Sequence, residues 1–185
     1  MKYLILLISL GFFISGCGVG ESNTDELEPI YFPLKDYFEV KAIELDGKSV
    51  LKEITVNGKK ERTQNTLDSD GWLKEFEFFI QADINTPSLA AAYETRKSEK
   101  AIIHELKPGE KGKIQRIVVN FDGKEVKNIS FVSRSSNLFY TTETKGILYN
   151  QSLTGKPDNY LVENMQKVVF LKPNKIMVSG AINYY

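Results

Sequence analysis

The stretch Ile114–Val132, "IQRIVVNFDGKEVKNISFV", decides the fold. Two apolar-rich runs flank Asp122-Gly123, a dipeptide that closes tight hairpins because glycine reaches the positive φ such turns require. The pattern predicts two antiparallel strands, 113–121 and 125–132, joined by that turn. The same pattern extends outward. Upstream, 92–97 and 100–106 read as strands, and downstream so do 137–143, 145–151, 159–171 and 175–183. Short loops at 134–136 and 172–174, and a longer one in "SLTGKPDN", separate the later strands. Strand following strand with no helix between them predicts an antiparallel meander and argues against parallel βαβ units.

The first half of the chain reads differently. In "PLKDYFEVKAIEL" the residues Leu34, Tyr37, Phe38, Lys41, Ala42 and Leu45 recur at helical spacing, which predicts an amphipathic helix from Pro33 to Asp46-Gly47. Lys41 interrupts the stripe but lays its stem along it. Val50, Lys52, Ile54 and Val56 then alternate up to Asn57-Gly58, a hairpin signal, and the polar return arm Lys59–Gln64 predicts an edge strand. Trp72, Phe76, Phe79, Ile80 and Asp83 predict a second helix, capped by Asp70 or Ser69. The expected architecture is therefore α+β. It is a single domain over residues 31–185, a curved antiparallel β-meander of about seven strands with two N-terminal helices packed on one face.

The chain begins "MKYLILLISLGFFISG", a lysine followed by an apolar run of signal-peptide length over residues 1–16. Cys17, the only cysteine, comes next, so no intramolecular disulfide is available to it. Ile14-Ser15-Gly16-Cys17 resembles a bacterial lipobox. That resemblance implies cleavage before Cys17, a diacylglyceryl thioether on its sulfur and acylation of the new N-terminus, with palmitate as such an acyl group. Each buried CH₂ contributes about 0.8 kcal/mol, so two or three chains anchor a protein firmly. Residues 17–30 then carry Glu21, Asp25, Glu26 and Glu28 with no base, an acidic tether reaching at most ~45 Å. Gly18 stands where an inner-membrane retention signal has Asp, so the expected location is the outer membrane, in either leaflet.

"YFPLKDYFE", "WLKEFEFFIQADINTP" and "NYLVENMQKVVFLKPNKIMVSGAI" resemble small lipoproteins of the Bacteroidetes type, a likeness that implies no particular activity. Helices against a long antiparallel meander are also similar in architecture to the LolA/LolB lipoprotein-carrier half-barrel.

Charge narrows the function classes. The chain is 42% apolar and 26% charged with zero formal charge, and loss of residues 1–16 removes only Lys2. No strong overall field points to nucleic acid. Catalytic signatures are missing: there is no Gly-x-Ser-x-Gly elbow, phosphate loop or His-Glu-x-x-His. His104, the lone histidine, shares a strand face with Ile102 and Leu106 and reads as a packed core residue. Thr66, Asp68, Asp70, Gly71 and Glu77 follow the spacing of a calcium loop but lack its first carboxylate, and a helix cap explains them as well. No catalytic residue, metal ligand or cofactor is expected.

The remaining signal is aromatic. Phe139, Tyr140, Tyr149 and Tyr160 mark the late strands as a surface for a hydrophobic ligand or an envelope partner. The resulting expectation is a lipid-anchored, non-catalytic envelope protein that touches the membrane through Cys17. An envelope hydrolase or calcium-dependent enzyme is the rival reading, and a structural scaffold subunit is the third.

Overall fold

The computed structural model describes residues 29–185, so Cys17, residues 1–16 and most of the tether lie outside the described residues. The elements begin with helix α1 (Leu34–Glu44) and a hairpin of β1 (Lys48–Val56) and β2 (Lys59–Leu67). Two short helices, α2 (Ser69–Glu75) and α3 (Glu77–Ile80), and a 3-10 turn at Pro87–Leu89 follow. Seven strands complete the chain: β3 (Tyr93–Lys97), β4 (Ala101–Leu106), β5 (Ile114–Asp122), β6 (Glu125–Ser136), β7 (Tyr140–Asn150), β8 (Pro157–Val168) and β9 (Asn174–Asn183).

The fold is α+β, built on one large antiparallel sheet in the order β2-β1-β9-β8-β7-β6-β5-β4-β3. The sheet has nine strands and not about seven, because the N-terminal hairpin joins it. β1 pairs with β9 from Ser49↔Asn183 to Val56↔Ile176. The helices are not an N-terminal pair either: α1 precedes the hairpin, while α2 and α3 lie between β2 and β3. The expected single second helix breaks at Phe76, which leaves α-helical geometry (φ −90°, ψ 6°) as its ring packs against Trp72 and Phe38.

Local chemistry explains the boundaries. Asn57 and Gly58 both take positive φ (48° and 89°), the geometry of the predicted two-residue turn. Asp122 pairs with Glu125, so the loop of the central hairpin is Gly123-Lys124, one residue later than expected. The two strands expected at 137–143 and 145–151 are the single strand β7, because Thr144, Lys145 and Gly146 continue the ladder with β6 without a break. Gly146 faces Phe131 across the β6–β7 ladder, and a β-carbon there would collide with the Phe131 ring. Gly180 plays the same part opposite Tyr160. The loop expected at 134–136 is strand, and 137–139 is the connection.

Helix α1 starts without a cap of its own, and the carboxylate of Asp83 fills that role by accepting from the Lys35 N–H at 2.8 Å. Asp68, and neither Ser69 nor Asp70, caps α2 by accepting from the Gly71 N–H at 2.8 Å.

The helices cover one face of the sheet. Phe38 stacks on Phe79 at 4.8 Å, Phe79 meets Phe131 edge-on at 5.4 Å, and Phe76 meets Tyr160 at 6.2 Å. Aromatic pairs of this kind each contribute about 0.5–1.5 kcal/mol beyond their burial. Among the described residues the core runs from Tyr31 to Ile182. On the opposite face, the register aligns Ile103, Val118, Ser130, Ile147 and Leu161 in one row across the strands. Ion pairs flank that row, among them Arg134–Glu143 at 2.6 Å and Lys175–Glu163 at 2.8 Å. Among the described residues, no helix is long and apolar enough to cross a membrane.

Candidate functional site

The four aromatics singled out from the sequence do not form one surface. Tyr160 is a correction: it is 2% exposed. Its hydroxyl donates to the Glu75 carboxylate, which also holds Lys52 Nζ at 2.8 Å. Burial, and then the Glu75 charge, push the Tyr160 phenol well above its ordinary range, so it stays protonated as a donor. Tyr140 and Tyr149 are both exposed, but they lie on opposite faces of β7 and nine residues apart, about 30 Å. Phe139 stands in the β6–β7 connection beside Tyr140. Those two remain together, at the end of the sheet.

The helix-bearing face holds a different opening. The helical layer stops short of the sheet's end and leaves a groove of about 520 Å³ between α3, the 3-10 turn and strands β5–β7. Phe78, Ala82, Leu89, Ile114 and Phe131 give it apolar walls, and Ser133 and Thr144 supply hydroxyls. Its charged members are Asp83 and Lys113. Asp83 is already engaged, with one oxygen on the Lys35 N–H and the other on the Asn85 N–H at 2.7 Å. These residues can hold an apolar chain and hydrogen-bond a polar end. They offer no nucleophile with a base beside it.

Sequence reasoning missed this groove. Phe131 and Ile114 alternate inward like any core residue, and only the helical layer's length leaves them partly uncovered. Gly146 was the one available signal, since glycine inside a strand marks a close approach, here by the Phe131 ring.

His104 is fully buried and committed. The Phe32 N–H donates to its Nε2 at 3.1 Å, so the neutral ring carries its proton on Nδ1 and donates to Thr95 Oγ1 at 2.8 Å. Tyr31 packs edge-on against it at 5.3 Å. Burial, with Lys97 adding to it, brings its pKa down to about 4. The calcium-like segment serves as the α2 cap, and among the described residues no group of three or more His, Cys, Asp or Glu is placed to hold a metal.

No protein-family model, curated protein or solved structure matches this chain. The groove and the sheet therefore carry the functional reading by themselves.

Proposed function

We propose that the chain is a lipid-anchored protein of the cell envelope, held in the outer membrane through Cys17, that binds a hydrophobic ligand and does not catalyse a reaction. The observation that carries the binding half is the apolar groove where the helical layer ends, with a volume suited to a short acyl or isoprenoid segment. The signal-like residues 1–16 and the lipobox-like Ile14-Ser15-Gly16-Cys17 support the anchoring half.

The two halves are tested apart. Native mass spectrometry of the protein from an envelope preparation is expected to find a lipid at near-stoichiometric occupancy. Ser133→Trp, which fills the groove, is expected to release that lipid while leaving the melting temperature unchanged. A ligand-free mass in the unaltered chain overturns the binding reading. Cys17→Ala is expected to abolish incorporation of an acyl label, and a labelled variant overturns the anchor.

A further inference from the structure

The sheet end below the groove is built unlike the rest of the surface. The β6–β7 connection (137–139) and the β8–β9 connection (169–173) lie side by side, joined by the Val169 N–H donating to the Phe139 carbonyl at 2.9 Å. They present Leu138 (89% exposed), Phe139 (70%), Phe170 (102%) and Leu171 to solvent. These tips are held rigidly. Asn137 Oδ1 accepts from the N–H groups of Phe139 and Tyr140 at 2.8 and 2.9 Å, and Leu171 N–H closes onto the Val168 carbonyl at 3.1 Å. Phe170 sits at φ +66°, a left-handed conformation that a bulky residue adopts only at a cost, and its ring contributes nothing to the core.

Charge is arranged around those tips. The sheet order places the β1–β2 turn on one side of them and the β4–β5 loop on the other. Segments 57–60, 107–113, 137–139 and 167–175 together hold eight lysines against one carboxylate, Glu110. Lys60 and Lys175 pair with Glu53 and Glu163, and among the described residues the other six make no ion pair. At the opposite end, segments 98–100, 122–125 and 151–158 hold three lysines against four carboxylates. The molecule thus has one cationic end, with four strongly exposed apolar side chains at the centre of that end.

We propose that this end docks on an anionic lipid bilayer, with Leu138, Phe139, Phe170 and Leu171 inserted below the headgroups and the flanking lysines on lipid phosphates. The side chains of the tips stand largely in solvent, so they suit a deformable surface better than a small ligand. The lysines match anionic headgroups in sign, and Tyr140 sits at the level where an amphipathic ring favours the interface. This contact is separate from Cys17 and does not depend on its acylation.

Residues 18–185, which lack Cys17 and keep the core from Tyr31 to Ile182, are mixed with vesicles of phosphatidylcholine alone or with about one-third phosphatidylglycerol and floated on a density gradient. Binding to the anionic vesicles is expected to exceed binding to the neutral ones about tenfold or more, and to fall as salt rises from about 0.1 M to about 0.5 M. The double variant Phe139→Ser, Phe170→Ser is expected to lose about tenfold in binding with its thermal melt unchanged. In Phe170→Trp, the added indole is expected to shift its emission to shorter wavelength on anionic vesicles, while Trp72 is buried already. Absence of vesicle binding overturns the proposal, as does binding unaltered in the double variant. A wild-type chain that dimerises in solution through these tips, and becomes monomeric in the double variant without having bound vesicles, assigns the end to a second copy and overturns it too.

Discussion

His104 makes acid stability a sharp test of the packing around the chain's entry point. In the folded protein its Nε2 accepts from the Phe32 N–H, so adding a proton there would set two donors against each other at 3.1 Å. Its folded pKa is held down to about 4, against 6.5 for the ordinary group. The sign follows directly. Above pH 6.5 both states carry neutral histidine and the group is silent. As the pH falls from 6.5 towards 4, the unfolded chain takes up a proton that the folded one refuses, so stability is lost across that window. At about pH 5 the loss amounts to about 2 kcal/mol relative to about pH 7.5. For a domain of this size it moves a urea midpoint by about 1 M. Glu53 and Glu143, whose carboxyls are held below the usual range by Lys60 with Arg62 and by Lys145 with Arg134, add their own loss chiefly as the pH falls below the ordinary value of 4.5, so the comparison is made at about pH 5. The assay is urea unfolding of wild type and His104→Gln at the two pH values. Glutamine can accept from Phe32 and donate to Thr95 without titrating, so any packing loss shows as an offset common to both conditions. If the variant keeps the wild-type loss of midpoint between the two pH values, the reasoning about His104 is refuted.

Five further substitutions test other parts of the fold. Gly146→Ala and Gly180→Ala push a β-carbon into the rings of Phe131 and Tyr160, so each is expected to destabilise by about 1–3 kcal/mol and lower the melting temperature by about 4–8 °C. Tyr160→Phe removes the buried donor to Glu75 and is expected to lose about 1.5–3 kcal/mol in urea melts, while Tyr149→Phe on the exposed strand face stays within about 0.5 kcal/mol. Phe170→Gly relieves a left-handed backbone and is expected to raise stability by about 1 kcal/mol while weakening vesicle binding. A drop in both quantities would show that the ring supports the fold.

Much of the fold was legible because alternation and turn chemistry are local. Asn57-Gly58 and the amphipathic stripe of α1 stand where the sequence puts them, and β2 is the polar edge strand that its composition predicts. His104 is the packed core residue that its apolar neighbours indicated. What escaped depends on partners far away in the chain. Membership of the hairpin in the sheet rests on β9, more than a hundred residues later, and nothing in Lys48–Val56 names that partner. Tyr160 reads in isolation as an amphipathic surface aromatic, and Gly146 does not name its partner, whereas a facing carboxylate and a facing ring decide their roles. Zero formal charge likewise hid the cationic end. The lysines that form it come from three separate segments, and only the sheet order brings them to one end.

The place of β9 in the sheet also orders the folding of the chain. Among the described strands it comes after all the others in chain order, and it is the one that joins the first hairpin to the rest, with Ser49 opposite Asn183. The six strands β3 to β8 can pair in sequence as they emerge, each with the one before it. The β1–β2 hairpin must wait with one edge of β1 open until the ten residues of β9 arrive. Closing so long a loop is a slow step with little local reward before it is complete. Removal of β9 would therefore do more than shorten the sheet at an edge. It would divide the sheet into a two-stranded piece and a six-stranded piece, so the C-terminal segment acts as the clasp of the whole domain.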